Sequence, residues 1–196
     1  KRTQLYTLHE ILGRYSRQQM ASDVESASLS RLPSEEDVRR GLAQGEFKAW
    51  FQPKFDLNTS AVAGAEALVR WRHPIRGLLL PRHFLAAVLA YDLIDEMLKQ
   101  MLEQGVSLLN TLRGSGHSLE LSFNLHASQL AHNDLIEHID HLLKRHDFPV
   151  GTLLFEVAEN GLLNLPRTTW ENLSRLRMMG CGLSIDDFGM GFSSLS

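Results

Sequence analysis

The segment Val62–Trp71, with the sequence V-A-G-A-E-A-L-V-R-W, constrains the fold of this chain more than any other segment. Its residues are mostly strand formers and turn-rich segments flank it, so it predicts a buried β-strand. Side chains alternate between the two faces of a strand, so Glu66, Leu68 and Arg70 share one face. Because an unpaired buried charge is costly, Glu66 needs a cation, a metal ion or hydrogen-bond donors. A buried salt bridge with a purely structural role is the alternative.

The composition is typical of a soluble globular protein, since 43% of the 196 residues are hydrophobic and 22% are charged. This length is enough for one domain with a sizeable core. A formal net charge of −3 gives no electrostatic basis for binding a nucleic acid polymer or an anionic membrane. The sequence shows neither an apolar run long enough for a membrane span nor a signal-peptide pattern. The single cysteine suits a reducing compartment, and we expect a cytoplasmic protein.

The N-terminal segment is predicted to be a linker. A helix is expected over Lys1–Met20, where apolar residues recur at helical spacing: Leu5, Leu8, Leu12 and Tyr15. Ala21–Leu32 is rich in serine and indicates a boundary. We therefore expect residues 1–32 to be a linker helix and connector that follow an upstream domain, and residues 33–196 to be the main domain. Because the first residue is Lys1, we expect the chain to be part of a longer protein.

The main domain is predicted to begin with a short helix and a hairpin. Ser34 and the three acidic residues after it are typical of a helix start, and this helix is expected to end near Gly45. Phe47–Leu57 predicts a strand that Pro53 confines to an edge or a bulge. A turn at residues 58–60 then joins it to Val62–Trp71, which predicts an antiparallel hairpin. Two helices are expected over Pro81–Leu112, divided near residues 91–92.

From residue 119 onward, predicted strands and helices alternate. The strands are Leu119–Asn124, Leu153–Val157 and Cys181–Asp187. One helix is expected over roughly Ser128–His146. A second is expected to carry an apolar stripe of Trp170, Leu173, Leu176 and Met179 and to end at Gly180. This alternation predicts a parallel sheet with helical crossovers, and on pattern alone both an open sheet and a closed (β/α) barrel are compatible with it.

Oxygen ligands are found at the ends of the predicted parallel strands: Asn124, Glu156 and Asp186, with Asp187 adjacent and Glu66 on the strand before them. Sites in barrels and open α/β sheets are built at these strand ends. Such carboxylates repel one another unless cations bind, and their oxygens suit Mg²⁺, Mn²⁺ or Ca²⁺ rather than zinc or copper. Two adjacent aspartates allow one carboxylate to bridge two ions, an arrangement that serves phosphate-ester cleavage. Any one of these residues alone is more often a helix cap or a surface residue.

Three other features are not interpreted as sites. The segment Asp187-Phe188-Gly189 resembles the metal-binding segment of protein kinases, but no H-R-D loop precedes it and the order of strands and helices is wrong. The histidines of the predicted helix near residues 132–141 lack a metal-ligand spacing and are interpreted as solvated or packing residues. Cys181 is interpreted as a small buried hydrophobic residue.

Five motifs occur in the order seen in EAL domains. They are Q-P-K-F-D-L from Gln52, E-A-L-V-R-W-R-H-P from Glu66, F-N-L-H-A-S-Q-L from Phe123, F-E-V-A-E-N from Phe155 and D-D-F-G-M-G-F-S-S from Asp186. Over roughly Ser34–Ser196 the chain therefore resembles this family of bacterial cyclic di-GMP phosphodiesterases. The resemblance implies an α/β fold of the modified (β/α)8 TIM-barrel type, of which we expect this chain to hold about the first half to two-thirds.

The resemblance implies a role for each matched position. The ligands of a first Mg²⁺ or Mn²⁺ ion would be Glu66, Asn124, Glu156 and Asp186. Asp186 would bridge to a second ion that Asp187 also binds. Arg70 would hold a substrate phosphate, while Gln52 and Leu68 would touch the nucleotide. Glu159 would anchor the loop Phe188–Ser194, which contributes to dimer contacts in the family, so a homodimer is expected. The chain has Ala158 and Met190 where the family usually has threonine.

The function expected from this resemblance is two-metal hydrolysis of cyclic di-GMP to linear pGpG in signal transduction, controlled by an upstream sensory or receiver domain. The alternative is a non-catalytic EAL domain that binds cyclic di-GMP or a protein partner. The family pattern places a catalytic lysine and a further ligand of the second ion beyond the position of Ser196. We therefore expect the 196-residue chain to be inactive on its own.

Overall fold

The computed structural model describes residues 32–158 and 166–186, and the predicted linker helix lies outside them. Its strands are β1 Phe47–Phe55, β2 Val62–His73, β3 Gly77–Leu79, β4 Glu120–Leu125, β5 Leu153–Ala158 and β6 Gly182–Asp186. Its helices are α1 Glu35–Ala43, α2 Leu85–Ala90, α3 Ile94–Gly114, α4 Asp134–His146 and α5 Arg167–Met178. The strands form one sheet in the order β1-β2-β4-β5-β6, with β3 paired to β2.

Helix α1 begins where the sequence predicts. The Ser34 side chain accepts a hydrogen bond from the Asp37 backbone N–H at 3.2 Å, which satisfies one of the free donors of the first turn. Three acidic residues follow the cap and interact favourably with the positive end of the helix dipole. The helix ends at Ala43, just before Gly45 with a φ of 61°.

The predicted β1–β2 hairpin is confirmed. The two strands pair antiparallel, with a register shift between Lys54 and Phe55, and β1 lies at the edge of the sheet. This is the setting that Pro53 requires, because proline cannot donate a ladder hydrogen bond. The Asp56 carboxylate organises the turn by accepting backbone N–H bonds from Thr59 at 2.8 Å and Asn58 at 2.9 Å. The hydrogen bonds from Thr59, followed by that from Asn58, hold the pKa of Asp56 below its usual value.

The predicted parallel sheet with helical crossovers is also confirmed. Strand β4 pairs parallel with β5, and β5 pairs parallel with β6, while α4 and α5 provide the connections. Strand β2 pairs with β4 only over Gly64–Ala67. It then diverges from β4 and pairs with β3, a strand that the sequence analysis did not predict. The class is therefore α/β, with the parallel strands arranged as in part of a (β/α) barrel.

Two predictions about the helices are wrong in detail. The helix expected from Ser128 begins at Asp134, after a 3₁₀ turn over Ala127–Leu130. The turn forms because Gln129, 2% exposed, accepts the His126 backbone N–H at 2.9 Å and donates to a carboxylate oxygen of Asp95 at 2.9 Å. In α5, Trp170 is not part of the buried stripe, since 53% of it is exposed.

The α5 face that packs inward is polar in part. Thr169 and Asn172 are buried, together with the predicted Leu176. The Asn172 amide donates to the backbone carbonyls of Leu130 and His132 at 3.0 and 3.2 Å. A side chain that satisfies buried carbonyls is stabilising in a position where an apolar residue would leave them unpaired.

The core lies between the sheet and its helices. The residues of β4 and β5 that face the helices include Phe123 and Phe155, which are both 1% exposed or less. A second cluster, near the C-terminal end of β2, is built on Trp71, Phe47 and Phe84. Within residues 32–158 and 166–186, no helix is long and apolar enough to cross a membrane.

Cys181 is expected to be chemically inert in the folded protein. It is buried, as the sequence analysis predicts, and burial raises the pKa of its thiol to about 11. The thiolate is the reactive form, so reaction at pH 8 should be negligible until the protein unfolds. A thiol reagent added with and without urea checks this, and the single cysteine makes the signal unambiguous. Equal labelling rates under both conditions contradict it.

Candidate functional site

One face of the sheet carries the residues that the sequence singles out. The other face packs on the helices through residues such as Ala65 and Ala67, both buried. Alternation along β2 therefore places Glu66, Leu68 and Arg70 on the face turned away from the helices. We call this face the polar face and define it by five residues: Gln52, Glu66, Arg70, Asn124 and Glu156. It forms because alternation along each strand directs the large apolar side chains to the helices and these polar side chains to the opposite side.

Strand register brings the members of the polar face together. Gln52 of β1 lies opposite Glu66 of β2. In the parallel part of the sheet, Asn124 of β4 lies opposite Glu156 of β5, and Glu66 lies opposite Ser122. The three predicted oxygen ligands on β2, β4 and β5 thus occupy neighbouring strands at adjacent levels.

Asn124 is hydrogen-bonded to Glu66. Its Nδ2 donates to Glu66 Oε1 at 2.9 Å, across a sequence separation of 58 residues. This bond fixes the amide so that Nδ2 faces the carboxylate, which leaves Oδ1 as an acceptor for another partner. An amide oxygen and a carboxylate oxygen on neighbouring strands are ligand types that suit a hard divalent cation.

Glu156 is neutralised by a residue that the sequence analysis did not single out. Lys54 Nζ donates to Glu156 Oε1 at 2.5 Å and to Ser122 Oγ at 2.7 Å. The side chain of Glu156 is only 12% exposed, so its charge requires a partner. The alternation of β1 could have identified Lys54, because it lies two residues after Gln52 and therefore on the same face.

Arg70 is not the salt-bridge partner of Glu66. Among the ion pairs of residues 32–158 and 166–186, none joins the two side chains. The Arg70 guanidinium lies over the Trp50 ring, with Cζ 5.6 Å from the ring centroid. Its Nη1 donates to the backbone carbonyl of Val69 at 2.8 Å. The alternative of a structural salt bridge between Glu66 and Arg70 is therefore not supported by the described residues. The guanidinium of Arg70 has further N–H donors with which it could bind an anion.

The remaining predicted ligands are only partly described. Asp186 is the last residue of β6, and its backbone pairs with Ala158, two residues beyond the pairing of Glu156 with Ser184. The Asp186 side chain, Asp187, Glu159 and the loop Phe188–Ser194 lie outside the described residues. Within the described part of the chain, no group of three or more His, Cys, Asp or Glu could hold a metal ion. The fit to a divalent cation rests on the hard oxygens of Glu66, Asn124 and Glu156.

A cavity of about 310 Å³ opens beside this site, where β2 diverges from β4. Leu68, Asn124 and Glu156 line part of it, and most of the other lining residues are apolar, such as Met97 and Phe123. The sequence could not predict it, because it exists only where the β2–β4 pairing stops at Ala67. An apolar cavity next to a polar cluster is a common form of small-molecule site.

Comparisons with known proteins agree on one family. A sequence model of the EAL domain matches residues 35–196. The chain is 44% identical over 187 residues to the cyclic di-GMP phosphodiesterase RocR of Pseudomonas aeruginosa, covering 94% of this chain and 47% of RocR. It is 35% identical over 185 residues to the cyclic di-GMP phosphodiesterase NbdA of the same organism, covering 94% of this chain and 24% of NbdA. The chain thus spans about half the length of RocR and about a quarter of the length of NbdA.

The fold is similar to that of solved structures. The PaMucR phosphodiesterase in its complex with c-di-GMP matches with a TM-score of 0.72 and 33% identity, covering 81% of this chain and 65% of that one. The EAL enzyme Bd1971, in a form with cAMP and cyclic di-GMP bound, matches with a TM-score of 0.71 and 24% identity, covering 96% of this chain and 52% of that one. At that identity the second match concerns the fold alone.

Proposed function

This chain belongs to the EAL domain family, and from that premise we propose that the protein containing it hydrolyses cyclic di-GMP to linear pGpG. The names of RocR and NbdA as cyclic di-GMP phosphodiesterases support the proposal. The observation that carries it is the hydrogen bond from Asn124 Nδ2 to Glu66 Oε1 at 2.9 Å, with Glu156 opposite Asn124 on the adjoining strand. Three hard oxygen donors on one sheet face form the core of a divalent metal site.

We assign roles to the matched residues on this basis. Glu66, Asn124, Glu156 and Asp186 would hold a first Mg²⁺ or Mn²⁺ ion, and Asp186 and Asp187 a second. When bound, the two ions would supply the Lewis acid and lower the pKa of the attacking water. Glu159 would anchor the loop Phe188–Ser194. A homodimer, an upstream sensory or receiver domain and a cytoplasmic location remain predictions.

The substrate residues surround this ligand set on the polar face. Arg70 would bind a phosphate oxygen with the guanidinium donors that its stacking on Trp50 leaves open. Gln52 lies opposite Glu66 in the hairpin and Leu68 lines the adjacent cavity, so both would contact the nucleotide. An apolar wall beside a charged centre suits a ligand that combines purine rings with phosphodiesters.

The test is turnover of cyclic di-GMP by the full-length protein with Mg²⁺ or Mn²⁺, followed by separation of pGpG, with an excess of EDTA as the control. Hydrolysis that stops in EDTA is the expected result. Binding without turnover in either metal would instead support the non-catalytic sensor. Absence of binding as well as turnover would contradict both functions.

Arg70→Ala is expected to weaken cyclic di-GMP binding by roughly tenfold to a hundredfold, because it removes charge-assisted hydrogen bonds to phosphate. Stability should change by no more than about 1 kcal/mol, since the partners of Arg70 are the Trp50 ring and one carbonyl rather than a buried carboxylate. Nucleotide titration and thermal melting measure the two effects separately.

The matched control for Arg70 is Arg145→Ala, which removes an exposed arginine from the last turn of α4. It should leave nucleotide affinity unchanged. If Arg70→Ala lowers the melting temperature strongly and leaves the affinity intact, Arg70 has a structural role and its assignment to phosphate is wrong.

A further inference from the structure

Lys54 occupies the position at Glu156 where a divalent cation would bind. Its ammonium group lies 2.5 Å from Glu156 Oε1 and 2.7 Å from Ser122 Oγ. Ser122 is 1% exposed, so the second acceptor is a buried hydroxyl that fixes the ammonium in place. The Lys54 side chain is 39% exposed and therefore has a path to solvent, whereas the Glu156 side chain is only 12% exposed.

The backbone explains how a residue of the edge strand reaches β5. Lys54 lies opposite Gly64, immediately before the register shift in β1. Gly64 has no side chain, so the lysine stem crosses β2 above it and arrives over β4 and β5. A larger residue is not accommodated at position 64, because an added Cβ would lie 2.8 Å from the Glu120 carbonyl oxygen. This arrangement allows Lys54 to contact Glu156, which lies 102 residues further along the chain.

We propose that Lys54 is an internal counter-ion that competes with the divalent cation for Glu156, so that metal binding requires release of the Lys54–Glu156 ion pair. The inference rests on the metal site assigned above. A cation bound to Glu156 at roughly 2.0–2.6 Å would be within a few ångströms of the ammonium, and like charges so close repel strongly. Lys54 keeps the buried carboxylate paired when no metal is bound, and it lowers the affinity of the site for metal.

The first experiment is titration of the protein with Mn²⁺, followed by electron paramagnetic resonance of the free ion. Lys54→Met removes the competing charge and keeps most of the apolar stem. It should lower the Kd for Mn²⁺ by roughly fivefold or more, the size expected for loss of a partly buried ion pair. Lys54→Arg retains the charge and should bind Mn²⁺ as the parent does.

The matched control is Lys48→Met. Lys48 is exposed on the same strand and face, but it lies roughly 20 Å from Lys54 along β1. It removes the same formal charge from the protein without touching Glu156, so its Kd should stay within about twofold of the parent value. A decrease in Kd for both variants would show a general effect of net charge and overturn the role of Lys54.

Amine footprinting of the parent protein provides a measurement that does not depend on any variant folding. The reactivity of Lys54 toward an acylating reagent should rise when Mg²⁺ is added, because the ammonium leaves Glu156. Reactivity that stays constant or falls contradicts displacement.

The outcomes separate this inference from the proposed function. Equal or weaker Mn²⁺ binding by Lys54→Met, with a metal-binding parent, overturns the role of Lys54 and leaves the metal site standing. If neither the parent nor Lys54→Met binds Mn²⁺, the metal site itself fails and the inference fails with it. Tighter binding by Lys54→Met, together with a metal-dependent rise in Lys54 reactivity, supports both.

Discussion

Glu66→Gln is expected to reduce the affinity for Mn²⁺ by at least about a hundredfold and to remove cyclic di-GMP hydrolysis by the full-length protein. Loss of a residue that only supports a metal ligand already costs about 10–100-fold, and Glu66 is assigned as a ligand itself. The substitution removes the charge but keeps Oε1, so the hydrogen bond from Asn124 Nδ2 is retained. The loss should therefore come from chemistry rather than from a change in the fold.

Glu120→Gln is the control for this experiment. Glu120 is exposed, begins β4 and lies opposite Gly64, one level below Glu66 and Ser122. Neutralising it changes the same net charge in the same sheet and should leave both Mn²⁺ binding and turnover unchanged. If Glu66→Gln retains the metal affinity of the parent, or if Glu120→Gln loses as much, Glu66 is not a ligand.

Trp71→Ala is expected to destabilise the protein by about 3–5 kcal/mol, the usual cost of removing a large aromatic side chain from a core. Trp71 is fully buried, stacks on Phe47 at 4.7 Å between ring centroids and meets Phe84 edge-on at 5.7 Å. Its Nε1 also donates to Glu46 Oε2 at 2.8 Å, so the substitution leaves a largely buried carboxylate without that partner. Urea unfolding measures the loss of free energy.

Two further variants make the result of Trp71→Ala interpretable. Trp170→Ala removes the same side chain from an exposed position of α5 and should cost no more than about 1 kcal/mol. Trp71→Phe keeps an aromatic ring and should fall between the two, which provides a measurement even if the alanine variant does not fold. A cost for Trp71→Ala as small as that for Trp170→Ala contradicts the packing described for this cluster.

Much of the fold could be predicted because local signals coincide with it. Pro53 required an edge or a bulge, and β1 has both. The division of the helices near Asp92 is also confirmed, since this residue has a φ of 55° between α2 and α3. The three-residue strand β3 was missed because it is too short for a periodic pattern and forms only through pairing with β2. Trp170 was misplaced because the inward face of α5 is partly polar, which apolar periodicity cannot detect.

The candidate site was predictable in position but not in its contacts. Alternation alone places Glu66 and Arg70 on one face, and the structure agrees. It is strand register, however, that decides that Glu66 meets Asn124 and not Arg70. Alternation along β1 could place Lys54 on this face, but its reach across β2 depends on the register that sets it opposite Gly64. The contact between Lys54 and Glu156 therefore follows from strand pairing, which a reading of the sequence alone does not supply.

The most direct test of the central claim is anomalous diffraction from crystals of the protein grown with MnCl₂ above the measured Kd. The account predicts an anomalous peak at the polar face, at roughly 2.0–2.6 Å from oxygens of Glu66, Asn124 and Glu156. Lys54 should then lie away from Glu156. A peak bound elsewhere, or a polar face without manganese and with Lys54 still paired to Glu156, would contradict the metal site from which the proposed hydrolysis is derived.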